Sequence, residues 1–310
     1  MSVTTKAETI AELSAEAAPE VESTLRRFLS DFRENKVAVA AFVVFSVIVF
    51  IAIFAPLISP QNPYDLAEID IMDGRLPPKS ESMSGTTFWL GTDDQGRDML
   101  SAIFYGLRTS LGVGAMSGVI ALCLGTCIGL TAAYCGGRID SIVMRLVDLQ
   151  LSFPAILIAL VLLAMLGKGV DKIIVALIAV QWAYYARTVR ASALVERRKD
   201  YIEAAQCLAF SNRRILFRHL MPNVLPPLIV VGTVQVAHAI LLESTLSFLG
   251  IGLPVTEPSL GLLIANGFEY MLSGKYWISF FPGVALLITV VSINLVGDQL
   301  RDVLNPRLRR

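Results

Sequence analysis

The chain has 310 residues, of which 55% are hydrophobic and 17% charged, and its mean hydropathy is +0.64. These values are too apolar for a water-soluble protein of this length and predict a polytopic membrane protein. The four cysteines form no C-x-x-C pair and the two histidines have no H-E-x-x-H context, which argues against a zinc site, a thioredoxin motif or a membrane protease. The net charge of zero conceals an uneven distribution along the chain, so only the positions of the charges are informative.

Residues 1–36 are predicted to form a cytoplasmic tail. The first twenty are rich in Ala, Glu, Ser and Thr and lack an apolar signal core, which is typical of a disordered tail rather than a signal peptide. Apolar residues then recur at helical spacing and predict an amphipathic helix, at Val21, Leu25, Phe28, Leu29 and Phe32. Two positions for this helix stay open: on the inner leaflet of the membrane, or packed on another subunit.

Six segments are long and apolar enough to cross a bilayer, which takes about 20 residues. The first is 37–58, and a polar loop with eight acidic residues follows at 59–107, long enough to carry a small lobe outside the membrane. A core at 108–300 holds five more spans, at approximately 109–134, 142–166, 173–189, 224–242 and 278–296, and 301–310 forms a tail. The predicted fold class is therefore an all-α membrane protein with six transmembrane helices.

The basic residues predict the orientation. Nineteen of the 26 Lys and Arg residues fall on the side that holds both termini and the central loop 193–222, and seven fall on the other side. By the positive-inside rule, both termini and the central loop face the cytoplasm, and the acidic loop 59–107 faces outward.

Glycines in the second span predict close helix packing. Gly114–Gly118 and Gly125–Gly129 are small-x-x-x-small pairs, which let helix backbones approach one another. The sequence therefore predicts a dense helical core rather than one anchor with a soluble domain.

The stretch from Asp200 to Pro222, here called the elbow, is the longest polar and cation-rich interval between two apolar spans. Asp200 as N-cap with Glu203 three residues on predicts a short helix, and Ser211 predicts a second cap after a bend near Ala209. Pro222 is predicted to end the second helix. The elbow is therefore predicted to form two short helices outside the membrane.

A small apolar face is predicted on the first of these helices. Ile202, Ala205 and Ala209 share one side at helical spacing, and cations crowd the second arm. Such a face suits docking into a groove on a partner protein.

Three charged residues near the spans are candidates for a gate or a transport pathway. Arg145 and Asp148 are three apart on one helix face and are predicted to pair, as a gate contact or as an ion pair at the membrane interface. Glu243 is costly in lipid, so it is predicted to face the bundle interior or water.

The elbow resembles the EAA loop of ABC-transporter permeases, whose pattern is Glu-Ala-Ala, three residues, Gly, nine residues, Ile-x-Leu-Pro. Matching positions are Glu203, Ala204, Ala205 and Pro222, whereas the pattern's Gly falls on Ala209, and His219 and Met221 also depart from it. The resemblance implies that residues Asp200, Glu203, Ala204, Ala205, Ala209 and Pro222 couple the chain to a cytoplasmic ATPase.

Further stretches resemble the C-type membrane subunit of dipeptide, oligopeptide and nickel importers. They include Leu90-Gly91-Thr92-Asp93 with Gly96-Arg97-Asp98, Leu246-Ser247-Phe248-Leu249-Gly250, and Phe281-Pro282-Gly283. The resemblance runs from about Arg26 to the end, although Val255, Thr256 and Leu260 depart from it. It implies the type I importer permease fold, a homologous second permease, two ATP-binding subunits, an extracytoplasmic binding protein and a place in the bacterial inner membrane.

The chain carries no G-x-x-x-x-G-K-[ST] run, so the sequence predicts neither an enzyme nor a cofactor site, and ATP and Mg are expected in the partner subunits. A di- or oligopeptide is the first expectation for the ligand, followed by nickel or another small solute. An ion-coupled secondary transporter and a non-transporting membrane scaffold are the competing classes.

Overall fold

The computed structural model describes residues 30–65, 67–82, 85–254 and 256–304. Most of the predicted amphipathic helix lies outside the described residues; within them, 30–34 are helical. Asn35 then caps α1 (Lys36–Ile58), because its side-chain oxygen accepts the N–H groups of Val37 at 3.1 Å and Ala38 at 3.2 Å. The first predicted span therefore forms at the predicted residues.

Helices make up most of the described chain, which confirms the all-α polytopic class. Beyond α1 they are α2 (Met99–Cys135), α3 (Gly137–Leu151), α4 (Ala155–Leu166), α5 (Val170–Glu196), α6 (Asp200–Cys207), α7 (Asn212–Phe248), α8 (Leu260–Phe268) and α9 (Trp277–Leu304). The loop between α1 and α2 adds a two-stranded antiparallel sheet of β1 (Ser80–Glu81) and β2 (Thr87–Phe88), in which Ser80 pairs with Phe88.

Among the described residues, four helices are long and apolar enough to cross a membrane: α1, α2, α7 and α9. The bent pair α3 and α4 makes a fifth if it is counted as one span. Helix α5 has 27 residues, but Lys172 and Arg187 bound its apolar stretch closely. The count of six spans stays a prediction.

The third predicted span, at 142–166, is not one continuous helix. It breaks between α3 and α4 with a bend of 90°, because Pro154 lacks an N–H and disfavours helical geometry at Phe153. The Gln150 side-chain nitrogen donates to the carbonyl oxygens of Ala179 at 2.5 Å and Val180 at 3.1 Å, which holds the break against the middle of α5.

The two glycine pairs of α2 contact different helices. A Cβ on Gly114 would lie 2.6 Å from Ile240 on α7, and a Cβ on Gly129 would lie 2.5 Å from the carbonyl oxygen of Ala186 on α5. If either glycine carried a side chain, the facing helix could not approach α2 this closely. Close packing at these glycines is therefore confirmed.

The bundle has two distinct ends, because α2 spans it from one to the other. At the loop end, Asp98 caps α2 by accepting the Ser101 N–H at 2.8 Å, so this helix begins before the predicted boundary at 107. The Trp277 indole N–H donates to the Thr92 carbonyl at 3.3 Å and joins the loop to α9. At the opposite end, Cys135 lies beside the elbow.

Candidate functional site

Helix α6 forms the first arm of the elbow, as predicted, but its cap differs from the prediction. Lys199 occupies the N-cap position without a side-chain hydrogen bond, and Asp200 is the first helical residue. Asp200 and Glu203 instead lie in the first turn, where carboxylates favour the helix dipole. The predicted capping box with Asp200 as N-cap is therefore wrong.

The predicted docking face of α6 points into the protein. Ile202 is 1% exposed and Ala205 is 4% exposed, and both pack in a core cluster with Ile215, Leu220 and Val224. The opposite face is open to the outside. Its exposed members follow at spacings of three and four residues and are Tyr201, Ala204 and Leu208, with Glu203 beside them.

Ala209, at the position of glycine in the family pattern, adopts a left-handed conformation. Its φ is +52°, and the Phe210 N–H donates back to the Ala205 carbonyl at 3.2 Å. This is the bond that closes a helix through a left-handed residue. The bend predicted near Ala209 is thus a left-handed turn, not a helical one, and an alanine occupies it at a cost of about 1–2 kcal/mol.

Aromatic stacking holds the residue after this turn. The Arg214 guanidinium lies 4.0 Å from the Phe210 ring centroid, and the His219 ring stacks on it at 5.7 Å. Contacts of this kind contribute about 0.5–1.5 kcal/mol each and offset the backbone strain at Ala209.

Pro222 does not end the second arm, contrary to the prediction. Ser211 caps α7 as predicted, by accepting the Arg214 N–H at 3.4 Å, and α7 continues through Pro222 to Phe248. Residues Ile215–Leu220 form a π-helical stretch just before the proline. Pro222 has no N–H to donate to the preceding turn of the helix. The Asn223 side chain donates to the His219 carbonyl at 2.7 Å, so this carbonyl keeps a hydrogen bond.

The elbow is fastened to the end of α2. The Arg197 guanidinium donates to the Ala133 carbonyl at 2.9 Å and lies over the Tyr134 ring at 5.7 Å. The Tyr134 hydroxyl donates to the Asn212 side chain at 2.7 Å. The end of α5 and the second arm of the elbow therefore both contact the end of α2.

Arg145 and Asp148 do not pair. Asp148 forms an ion pair with Arg187, and the neighbouring Asp140 pairs with Arg190 at 2.5 Å. Arg145 is exposed and forms no ion pair within the described part of the chain. The partners come from α5 because α3 packs against that helix, with Val147 in contact with Ala183 and Ala186. A gate role for Arg145 and Asp148 stays a prediction.

Glu243 lies in the bundle interior, as predicted. It is 0% exposed and accepts hydrogen bonds from the Ser110 hydroxyl at 2.8 Å and the Ser247 hydroxyl at 2.7 Å. The serines were not among the predicted site residues. Ser247 lies one helical turn from Glu243, which was an available sequence signal, whereas nothing in the spacing shows that Ser110, 133 residues away, meets Glu243. Whether Glu243 lies on a transport pathway stays a prediction.

The structure adds a groove that the sequence did not predict. It has a volume of about 940 Å³ and opens between the elbow ends of α5, α7 and α9. Its lining is mostly apolar but includes Glu196, Asp298 and Arg301, and the adjacent prolines Pro226 and Pro227 of α7 lie along one side. Two prolines inside a helix were the available sequence signal. Among the described residues, no group of three or more His, Cys, Asp or Glu side chains is placed to hold a metal ion.

This architecture defines a helical membrane protein with a broken span and an exposed elbow between two of its helices. Residues 125–310 match the family described as the inner membrane component of binding-protein-dependent transport systems, and residues 23–78 match the N-terminal transmembrane domain of oligopeptide transport permease C. The chain therefore belongs to the family of binding-protein-dependent transport system inner membrane components.

Relatives of known name support this membership. The chain is 36% identical to the di/tripeptide transport system permease protein DppC of Pseudomonas aeruginosa, over 93% of each chain. It is 41% identical to a putative peptide transport system permease protein of Brucella suis, over 85% of each chain, and 35% identical to the oligopeptide permease OppC of Bacillus subtilis, over 90% of this chain and 88% of that one.

A solved structure shares the fold. A chain in the inward-facing MetNI methionine ABC transporter superposes with a TM-score of 0.55 at 20% identity, over 67% of this chain and 98% of that one. This likeness supports the type I importer permease fold.

Proposed function

We propose that this chain is the permease subunit of an ATP-binding-cassette importer for di- and oligopeptides, and that it forms half of the translocation pore. The observation that carries the proposal is the elbow, a short helix with an exposed apolar face and a left-handed turn, in a chain whose relatives are peptide transport permeases. Energy enters through this elbow from ATPase subunits, which bind ATP and Mg.

The proposed ATPase contact is the exposed face of α6, with Tyr201, Glu203, Ala204 and Leu208. Leu208 is 67% exposed and shares this side of the helix with the exposed Tyr201 and Ala204, so the face presents apolar surface to a partner. On the opposite side of α6, Ala205 packs in the core and holds the helix in place, so that the exposed face points outward. An exposed apolar face on a short helix suits a groove on the ATPase.

Glu196 orients the contact face. It accepts a hydrogen bond from the Tyr201 hydroxyl at 2.8 Å and pairs with Lys199 at 2.6 Å. Partial burial and the Glu196 carboxylate raise the pKa of Tyr201 to about 12.

The full assembly that we propose contains this chain, a homologous second permease, two cytoplasmic ATP-binding subunits and an extracytoplasmic binding protein. We place the chain in a bacterial inner membrane with six spans, and the distribution of Lys and Arg supports an orientation with both termini and the elbow in the cytoplasm. The two permeases alternate between outward-open and inward-open states around the pore between them.

Reconstitution tests the proposal. The complete assembly in liposomes is expected to take up radiolabelled trialanine only when ATP is hydrolysed, and a non-hydrolysable ATP analogue should abolish uptake. Uptake of Ni²⁺ instead of trialanine would favour the nickel branch. Uptake driven by an ion gradient without ATP would overturn the proposal in favour of an ion-coupled secondary transporter.

A further inference from the structure

A buried carboxylate joins three elements at the loop end of the bundle. Glu243 on α7 is bound by Ser110 of α2 at 2.8 Å and by Ser247 of α7 at 2.7 Å. Ser244 lies 3.4 Å from the same carboxylate, and the side chain of Ser259, the N-cap of α8, lies close enough to interact with it. All five residues are at most 4% exposed, so this polar cluster is enclosed by protein.

Close backbone contacts surround the cluster. A Cβ on Gly261 of α8 would lie 2.2 Å from the Ser244 carbonyl oxygen, and a Cβ on Gly106 of α2 would lie 3.2 Å from the Leu260 nitrogen. The N-terminus of α8 is thus wedged between α2 and α7. Apolar contacts alone would allow such a wedge to slide, whereas hydrogen bonds to one acceptor fix its register.

The chemistry of the cluster suits a carboxylate. A carboxylate is an acceptor with about four lone-pair sites, so it can receive several hydroxyl donors from different directions. Hydroxyls from three elements therefore converge on the side chain best able to hold them together.

Helix α7 connects this cluster to the elbow. It runs from Asn212, at the elbow, to Phe248, just past the cluster, as one helix of 37 residues. At 1.5 Å per residue this is about 55 Å, enough to reach from one side of a membrane to the other. A displacement of the elbow therefore moves the helix that carries Glu243.

We propose that Glu243 is a positioning residue that locks α8 to α2 and α7, so that α8 moves with the elbow as one body during transport. The inference rests on the proposed ATP-coupled function. Glu243 holds the moving parts in register and need not touch the ligand. Without Glu243, the ATPase subunits hydrolyse ATP and displace the elbow, but α8 at the loop end does not follow.

The test compares variants of the complete reconstituted assembly. Ser110→Ala removes the hydrogen bond between α2 and Glu243, and Glu243→Leu removes the acceptor. Glu243→Gln keeps an acceptor and adds a donor, which serine hydroxyls can accept. The matched control is Ser117→Ala, because Ser117 is a buried serine of α2 whose hydroxyl bonds only to carbonyls of its own helix, at 2.7 Å and 3.2 Å.

The quantity measured is trialanine taken up per ATP hydrolysed. Ser110→Ala and Glu243→Leu are expected to lower this ratio about fivefold, the size of effect typical of residues that couple two sites. Glu243→Gln and Ser117→Ala should stay near the wild-type ratio. Uptake and hydrolysis that fall together would leave the ratio unchanged and overturn the inference, as would an equal fall in Ser117→Ala.

Hydrogen exchange of the α8 amides provides a readout that does not depend on the ligand. Exchange should be about fivefold faster in Ser110→Ala than in Ser117→Ala, and equal rates would overturn the inference even if no peptide is transported. If Glu243→Leu does not assemble, the uptake ratio and the exchange rates of Ser110→Ala test the inference by themselves. Uptake without ATP by the wild-type assembly would instead overturn the proposed function, so the two failures are distinguishable.

Discussion

The loop end and the elbow end of the bundle treat their charged groups in opposite ways. At the loop end, Arg97 and Asp93 form an ion pair at 2.6 Å with 1% and 0% of their side chains exposed. At the elbow, Glu203 is exposed and Leu208 beside it is 67% exposed. The loop end buries this ion pair inside the protein, whereas the elbow leaves Glu203 and Leu208 available to another protein.

The largest expected effect is at the loop end. Arg97→Ala leaves Asp93 charged and buried without its ion-pair partner, which should lower the free energy of unfolding by about 3–5 kcal/mol. Faster proteolysis within the loop 59–98 would report the loss. Lys172→Ala is the control, because the Lys172–Asp171 pair is exposed and contributes little. If Arg97→Ala and Lys172→Ala lowered stability equally, the buried ion pair would not be more important than the exposed one.

The two faces of α6 separate stability from coupling. Ile202→Ala removes a side chain that is 1% exposed and should cost about 2–4 kcal/mol of stability, measured by thermal unfolding in detergent. Leu208→Ala should leave the unfolding temperature unchanged and lower stimulation of the partner ATPase. If Leu208→Ala lowered stability instead, the exposed face would belong to the core of this chain.

Reversing the charge at Glu203 tests the docking face directly. Glu203→Lys should lower ATPase stimulation about tenfold while the permease still inserts, because a cation then meets a site that accepts a carboxylate. Glu81→Lys, an exposed reversal in β1 at the other end, is the control. Normal ATP-driven transport by Glu203→Lys would contradict the coupling role.

Ala209 offers a smaller, stabilising change. Because its φ is +52°, Ala209→Gly should relieve the left-handed strain and stabilise the elbow by about 1 kcal/mol, less the backbone entropy that glycine loses. Thermal unfolding of the assembled complex measures the change. Loss of assembly would show that the bound elbow needs a different turn.

The smallest effect concerns pH at the loop end. Burial, and then repulsion from Asp93, raise the pKa of the Asp94 carboxyl above its ordinary value of 3.8. The folded loop thus holds this proton more tightly than the unfolded chain, so stability falls as pH rises from 3.8 through the raised pKa. Asp94→Asn should show a smaller loss of protease resistance between acid and neutral pH than the wild type. An identical loss would assign the pH dependence to another group.

The sequence alone determined the membrane class, the first span, the glycine contacts of α2 and the place of the elbow. These follow from apolar run length, small-residue spacing and turn chemistry, which act over a few neighbouring residues. The motif positions in the elbow also identified the family without knowledge of any contact.

Helix packing, and not the local sequence, determines which side of α6 faces outward, which cation pairs with Asp148 and which hydroxyls surround Glu243. Ile202 and Leu208 are both apolar residues on a short helix, and the core cluster of Ile215, Leu220 and Val224 selects Ile202 for burial. Asp148 pairs with Arg187 because α3 packs against α5. Ser110 and Glu243 are 133 residues apart, and side chains so distant meet only where helices pack, which no local pattern records.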